Sequence, residues 1–180
     1  MKKILLATLL AGGALMGADN VAFIGASVGN AELKSNVPLV GYESKSDDAQ
    51  YTATLGQYIG TNGRVSLSYS YIKPQNSVKH SDSASLAFDF MLPIVDNVFF
   101  LYAGPVVGYT RYEQETAGVK LDLSGLHYGG QAGAIVRIVN NIEVEGGYRY
   151  LIETGSDTVL GVKVDADTLK VWYIGANFRF

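Results

Sequence analysis

Cysteine is absent from the sequence, so no disulfide staples this chain, and a domain exported without disulfides has to rely on a core, a metal or a membrane. No run of about 18 or more apolar residues occurs, which excludes a membrane-spanning helix. A Cys/His cluster, a Walker loop and a dinucleotide fingerprint are also missing, so no metal or cofactor is expected. Basic residues are in deficit, with 14 Lys and Arg against 17 Asp and Glu. A nucleic-acid binder carries a basic patch or stripe, and that class is set aside.

What is present begins with the first 18 residues. Lys2 and Lys3 precede an apolar run from Ile4 to Met16, followed by Gly17-Ala18-Asp19. A charged start, a short apolar stretch and a small-residue cleavage site make a secretory leader. Cleavage after Ala18 is expected, leaving residues 19–180 as one exported domain. Glycine (21) and tyrosine (12) are both plentiful. Because glycine costs roughly 1 kcal/mol per helix position, the composition favours strands.

Alternation of apolar and polar residues then recurs in segment after segment. Between Gly63 and Ile72, Val65, Leu67, Tyr69 and Tyr71 take one face and Arg64, Ser66, Ser68 and Ser70 the other. Tyr51 to Ile59 alternates in the same way, and Gly60-Thr61-Asn62-Gly63 between them is a hairpin signal. Ser83 to Leu92, Val98 to Tyr109, Leu126 to Ile138, Ile142 to Tyr150 and Trp172 to Phe180 continue the series. With Asn20 to Gly29, whose faces the pattern leaves open, the count is eight. Connections near 60–63, 93–97 and 139–141 are short, and those at about 30–49, 72–82, 110–123 and 151–167 are long and polar. Short turns on one side, long loops on the other and an even number of strands of roughly ten residues describe an eight-stranded antiparallel transmembrane β-barrel.

The faces support a membrane rather than water outside. Arg64, Asp89, Arg137, Glu143, Glu145, Arg149 and Arg179 all fall on the Ser/Thr/Gly face, the reverse of a soluble barrel with an apolar interior. On a lipid face, each Arg would cost about 2–4 kcal/mol at mid-depth. Tyr51, Tyr69, Tyr71, Tyr109, Tyr128, Tyr148, Tyr150 and Trp172 fall near the outer rim on the apolar parity and form the expected outer aromatic girdle. Phe90, Phe99, Phe178 and Phe180 are the expected inner one.

The terminal run Gly175-x-x-Phe178-x-Phe180 resembles the C-terminal signal read by the barrel-assembly machinery. Over residues 19–180 the pattern resembles the small eight-stranded outer-membrane barrels, the group of the outer-membrane protein A transmembrane domain, outer-membrane protein X and Ail. The resemblance implies an outer-membrane location and contact with outer-membrane lipids and lipopolysaccharide. It also implies dependence on the assembly machinery and ligands, host or cell-surface, met through the loops.

An interior of this diameter is filled by side chains, so the seven charged residues are expected as an ion-pair network that plugs the barrel, with Arg137 facing Glu143. The alternative is a charged constriction in a narrow diffusion pore. A third reading, a lipid-modifying enzyme, needs Ser, His and a carboxylate in hydrogen-bond reach. Lys79-His80-Ser81-Asp82-Ser83 is the one crowded stretch. In related deacylases one residue separates His from Ser, whereas His80 is followed directly by Ser81, and the chain is not expected to be an enzyme. His127 is expected as a hydrogen-bonded lumen filler beside Gln131. Asp47-Asp48, Asp165 and Asp167 lack the spacing of a calcium loop. The outer segments, Lys170 included, carry twelve acids against eight bases, Glu153 being counted among the acids. Structure or surface interaction through these loops is the expected role.

Overall fold

A computed structural model describes residues 21–37, 42–72, 78–116, 119–122, 124–159 and 162–180. The expected leader, residues 1–18, lies outside them. Among the described residues ten strands occur in chain order: β1 (Ala22–Val37), β2 (Tyr42–Ile59), β3 (Gly63–Ile72), β4 (Val78–Val95), β5 (Phe99–Thr116), β6 (Val119–Asp122), β7 (Gly125–Val139), β8 (Ile142–Glu153), β9 (Ser156–Val159) and β10 (Val162–Arg179). Eight of them follow the order β1-β2-β3-β4-β5-β7-β8-β10, and β10 pairs back with β1, closing an antiparallel barrel. Short β6 and β9 add to the outer parts of β5 and β10. Closure leaves the wall without a free edge, as a surrounding of hydrocarbon would require.

The seam runs from Phe23 opposite Arg179 to Asn36 opposite Asp165. At its inner end the backbones of Ala22 and Phe180 exchange two hydrogen bonds, of 2.9 and 3.2 Å. The seam also settles the faces of β1: Ile24, Ala26 and Val28 point outward, while Phe23 is buried in the interior. On the same side the tight turns hold Gly60 (φ 60°) and Asn97 (φ 58°) in the left-handed region that Gly and Asn tolerate.

On the other side the strands outrun the bilayer. β1 has 16 residues and β2, β4, β5 and β10 have 18 each, against about 9–11 needed to cross. The long connections expected at 30–49, 72–82, 110–123 and 151–167 are therefore largely strand. Apolar alternation fades once both faces of a sheet meet water, but the backbone ladder does not need lipid to continue. The pattern stops before the strands do.

Candidate functional site in the barrel interior

Inward-facing side chains stack in layers. At the turn end, Glu143 is fully buried. Its Oε2 accepts the Tyr58 hydroxyl, and its Oε1 accepts Arg137 Nε (3.1 Å) and Nη2 (3.0 Å); Arg179 Nε pairs with Oε1 by charge at 3.4 Å without a hydrogen bond. Arg137 Nη1 and Arg179 Nη1 donate to the turn carbonyls of Asn97 and Asn140, both at 3.3 Å. The guanidiniums lie over the rings of Phe100 (5.0 Å) and Tyr58 (5.1 Å). Two cations thus share one carboxylate at the turn-end mouth. Buried Asn177 Nδ2, next to them on β10, has no hydrogen-bond partner.

One layer farther in, Arg64 is 3 % exposed. Its Nε and Nη2 lie 2.9 and 2.8 Å from Asp89 Oδ2, and its Nη1 donates to Glu145 Oε2 at 2.7 Å. Asp89 Oδ1 accepts Gln131 Nε2 (2.7 Å), and Gln131 Oε1 accepts Arg149 Nε (2.8 Å). The chain Arg149–Gln131–Asp89–Arg64–Glu145 therefore ties β3, β4, β7 and β8 across the lumen. The tie runs through Gln131, which the sequence placed beside His127. Arg64 lies over Phe23 (5.7 Å) and Tyr102 (4.4 Å), and Arg149 over Tyr173 (4.9 Å). The hydroxyls of Tyr102 and Tyr173 bond to each other. Gly133 and Gly147 make room for that pair, since a Cβ at either would come within 2.5 Å of the Tyr102 oxygen.

Buried charges are tolerated where they are paired and hydrogen-bonded, and Asp89 receives donors on both oxygens. Apolar layers flank this center. Phe23, Met91, Phe100 and Ile135 pack with Tyr58 and Tyr102 toward the turns. Ala31, Ala87, Val106, Leu151, Leu169 and Val171 pack with Tyr173 toward the outside.

The outer half of the lumen uses hydroxyls. Thr52 bonds Ser70 at 2.8 Å and Thr54 bonds Ser68 at 3.1 Å across β2 and β3. His127, fully buried, has Nε2 at 2.9 Å from Ser85 Oγ and Nδ1 at 2.9 Å from Thr110 Oγ1. Thr110 spends its one proton on Glu153 Oε1 at 3.1 Å, so it accepts from His127 Nδ1–H, while the Ser85 hydroxyl, which can donate or accept, meets Nε2. Ser, His and Glu meet here in the residue types of an acyl-transfer site, but Thr110 stands between base and acid, the His127–Glu153 distance is 4.0 Å, and Ser85 is 5 % exposed.

Glu153 is a correction to the sequence reading. It was counted among the outer loop acids, and it is a buried β8 residue opposite His127. Continuing the inward parity of Glu143, Glu145 and Arg149 two steps beyond Arg149 finds it. Of the other crowded stretch, Ser81 faces the interior and is buried, Asp82 stands opposite Arg111, and the side chains of Lys79 and His80 lie outside the described residues.

Outside, Tyr51, Tyr69, Tyr71, Tyr109, Tyr128, Tyr150 and Trp172 are exposed at the outer rim, and half-buried Tyr148 packs on Trp172 with ring centroids 4.5 Å apart. Lys170 Nζ sits 5.9 Å above the Tyr150 ring. Phe90, Phe178 and Phe180 are exposed at the turn end, while Phe99 is half-buried. Gly175 faces inward on β10 opposite Ser27, where a Cβ would meet the Ser27 Cβ at 2.6 Å.

A closed barrel with an apolar exterior, aromatic rims and a polar, filled interior defines the class of transmembrane β-barrels. The chain belongs to the outer membrane protein beta-barrel domain family, whose profile matches residues 4–180. It is thus a small protein of the outer membrane. Comparison with curated proteins finds no sequence match. Among solved structures, the fold is similar to Neisserial surface protein A (15 % identity, TM-score 0.66, covering 88 % of this chain and 97 % of that one). It is similar also to outer membrane protein H from P. aeruginosa (26 %, 0.60, 88 % and 99 %). Ail, the attachment invasion locus protein of Yersinia pestis, shares the fold as well (17 %, 0.52, 88 % and 99 %).

Proposed function

We propose that this chain is a non-conducting outer-membrane scaffold that presents its protruding strands and outer loops for surface interaction. One observation carries the reading: Arg64, 3 % exposed and bonded to both Asp89 and Glu145, occupies the lumen between two apolar layers. Water and ions would have to displace several charge-assisted bonds to pass, each stronger than a neutral one. The strands that outrun the bilayer add a second support, because they hold the outer segments on a rigid base.

The chain is not an enzyme in this reading. Ser85 and His127 are enclosed among side chains, which leaves a lipid substrate no approach to the hydroxyl. An Ail structure contains the heparin analogue sucrose octasulfate. A polyanion suits this chain poorly, because its outer segments remain acidic after Glu153 is removed from the count. Surface partners with cationic groups, or anionic lipopolysaccharide bridged by divalent cations, fit the charge better.

Exchanging residues 33–47 for a short turn tests the role. The expected result is a barrel that still shows heat-modifiable migration but loses adhesion to host cells or serum survival. Unchanged behaviour in both assays, for this and the equivalent exchanges at 113–123 and 156–167, would contradict it.

A further inference from the structure

The turn-end mouth carries a charge imbalance that none of the preceding roles uses. One layer in, Arg64 is answered by two carboxylates, Asp89 and Glu145. At the mouth, among the described residues, the guanidiniums of Arg137 and Arg179 are answered by Glu143 alone. Both oxygens of that carboxylate are already engaged, Oε2 by the Tyr58 hydroxyl and Oε1 by Arg137. Arg179 gains its charge without a hydrogen bond, and its buried Nε has no acceptor among the described residues. Asp96, in the turn between β4 and β5, is exposed to solvent, where its charge is screened.

A second unanswered donor lies beside the first. Asn177 is 3 % exposed and faces inward on β10, two residues before Arg179, between Gly25 of β1 and Glu143 of β8. Its Oδ1 lies over Gly25, where a Cβ would come within 1.9 Å of it, and its Nδ2 has no partner among the described residues. Buried polar atoms in a folded protein are normally hydrogen-bonded, so two exceptions at neighbouring positions call for a reason. Both lack the same thing, an acceptor.

The guanidiniums are held in place and reachable. Arg179 lies over the Tyr58 ring and donates to the Asn140 carbonyl, and Arg137 lies over Phe100 and donates to the Asn97 carbonyl. Their side chains are 15 % and 14 % exposed, against 3 % for Arg64 one layer farther in. Planar guanidinium forks match the oxygens of a phosphate in both charge and geometry.

We propose that the turn-end mouth binds one small oxyanion of the phosphate class, held between Arg137 and Arg179 with Asn177 Nδ2 as a further donor. The anion offsets the charge of the mouth without entering the filled center. It also stabilises the folded barrel, since the unfolded chain has no such site. The inference does not rest on what the outer loops bind.

Isothermal titration calorimetry of the full-length barrel, refolded in a phosphate-free maltoside detergent, tests it with inorganic phosphate and with glycerol phosphate, against chloride at equal ionic strength. Saturable binding of phosphate at one site per barrel is expected, and none of chloride. Binding of both phosphate ligands supports the site with a phosphate ester as occupant, and binding of inorganic phosphate alone supports it with the free ion. Arg179→Gln removes one fork, and Asn177→Asp puts an acceptor of the same size beside Arg179. Each should weaken binding about tenfold or more, as the loss of a charge-assisted bond does. Asn177→Asp should also raise the urea midpoint in phosphate-free buffer and make it insensitive to added phosphate, and Lys170→Gln at the outer rim should leave binding unchanged. Heat-modifiable migration checks folding, and if Arg179→Gln does not fold, the isosteric Asn177→Asp carries the test. A wild-type barrel that takes up no phosphate, equal uptake of chloride, or undiminished binding in Asn177→Asp would each overturn the proposal.

Discussion

The two halves of the lumen solve the same problem with different chemistry. Toward the turns, Arg64, Arg137 and Arg179 are set against Asp89, Glu143 and Glu145, and Arg149 is tied in through Gln131, under a cover of aromatic rings. Toward the outside, Ser and Thr hydroxyls pair across strands, and His127 and Glu153 are linked through Thr110. A guanidinium held by two carboxylates has no substitute partner when one is removed. A hydroxyl rotates and can donate or accept, so the outer half has more ways to repair a loss. The inner half should therefore behave as a single cooperative lock and the outer half as a set of small, separable contributions.

The largest expected effect is at Asp89. Asp89→Ala strands Arg64 and Gln131 in the interior and should cost about 3–5 kcal/mol, the penalty for breaking a buried pair from one side. Urea unfolding of the barrel in lipid vesicles measures it. Replacing the three ions together, as Arg64→Met/Asp89→Leu/Glu145→Leu, should recover the part of that loss due to the stranded Arg64, with Gln131 still lacking its acceptor, since apolar residues of similar volume often replace buried ions without penalty. A triple variant as weak as Asp89→Ala would show that the ions do more than fill space.

Next in size is Gly147→Val, whose Cβ would lie 2.5 Å from the Tyr102 oxygen. It should destabilise by about 1–3 kcal/mol through overpacking, and Tyr102→Leu in the same background should relieve it only in part, because the Cβ would also lie 2.7 Å from the Tyr173 oxygen. His127→Ala in the outer half should cost about 1–3 kcal/mol by leaving Ser85 and Thr110 without their ring partner. Unlike the Asp89 variant, it should be additive with a lesion in the other half. Thr52→Val, which removes one hydroxyl pair, should be smallest, at roughly 0.5–1.5 kcal/mol. A Thr52→Val effect as large as that of Asp89→Ala would erase the distinction between the halves.

Much of this arrangement is legible in the sequence because a strand in a barrel wall has only two faces. Parity alone puts Arg64, Asp89, Arg137, Glu143, Glu145, Arg149 and Arg179 inside and Tyr51, Tyr69 and Trp172 outside, as the structure does. The partners of each charge are a matter of register between strands distant in sequence, which alternation does not encode. Gln131 illustrates this, bridging Asp89 and Arg149 across the lumen. Phe23, Phe100 and Tyr102 were hidden for another reason. Large rings read as lipid-facing by default, and here they fill space opposite glycines such as Gly56 and Gly133. Glu153 was missed because the apolar signal ended at Tyr150, three residues before the strand.

The sealed inner half is tested most directly by planar-bilayer conductance of the refolded barrel, with heat-modifiable migration as proof of folding. A folded barrel that stays at the leak level, both as purified and at raised salt, is the predicted result. Steady, discrete openings from the folded wild-type barrel would contradict it and would make the Arg64 layer the constriction of a pore.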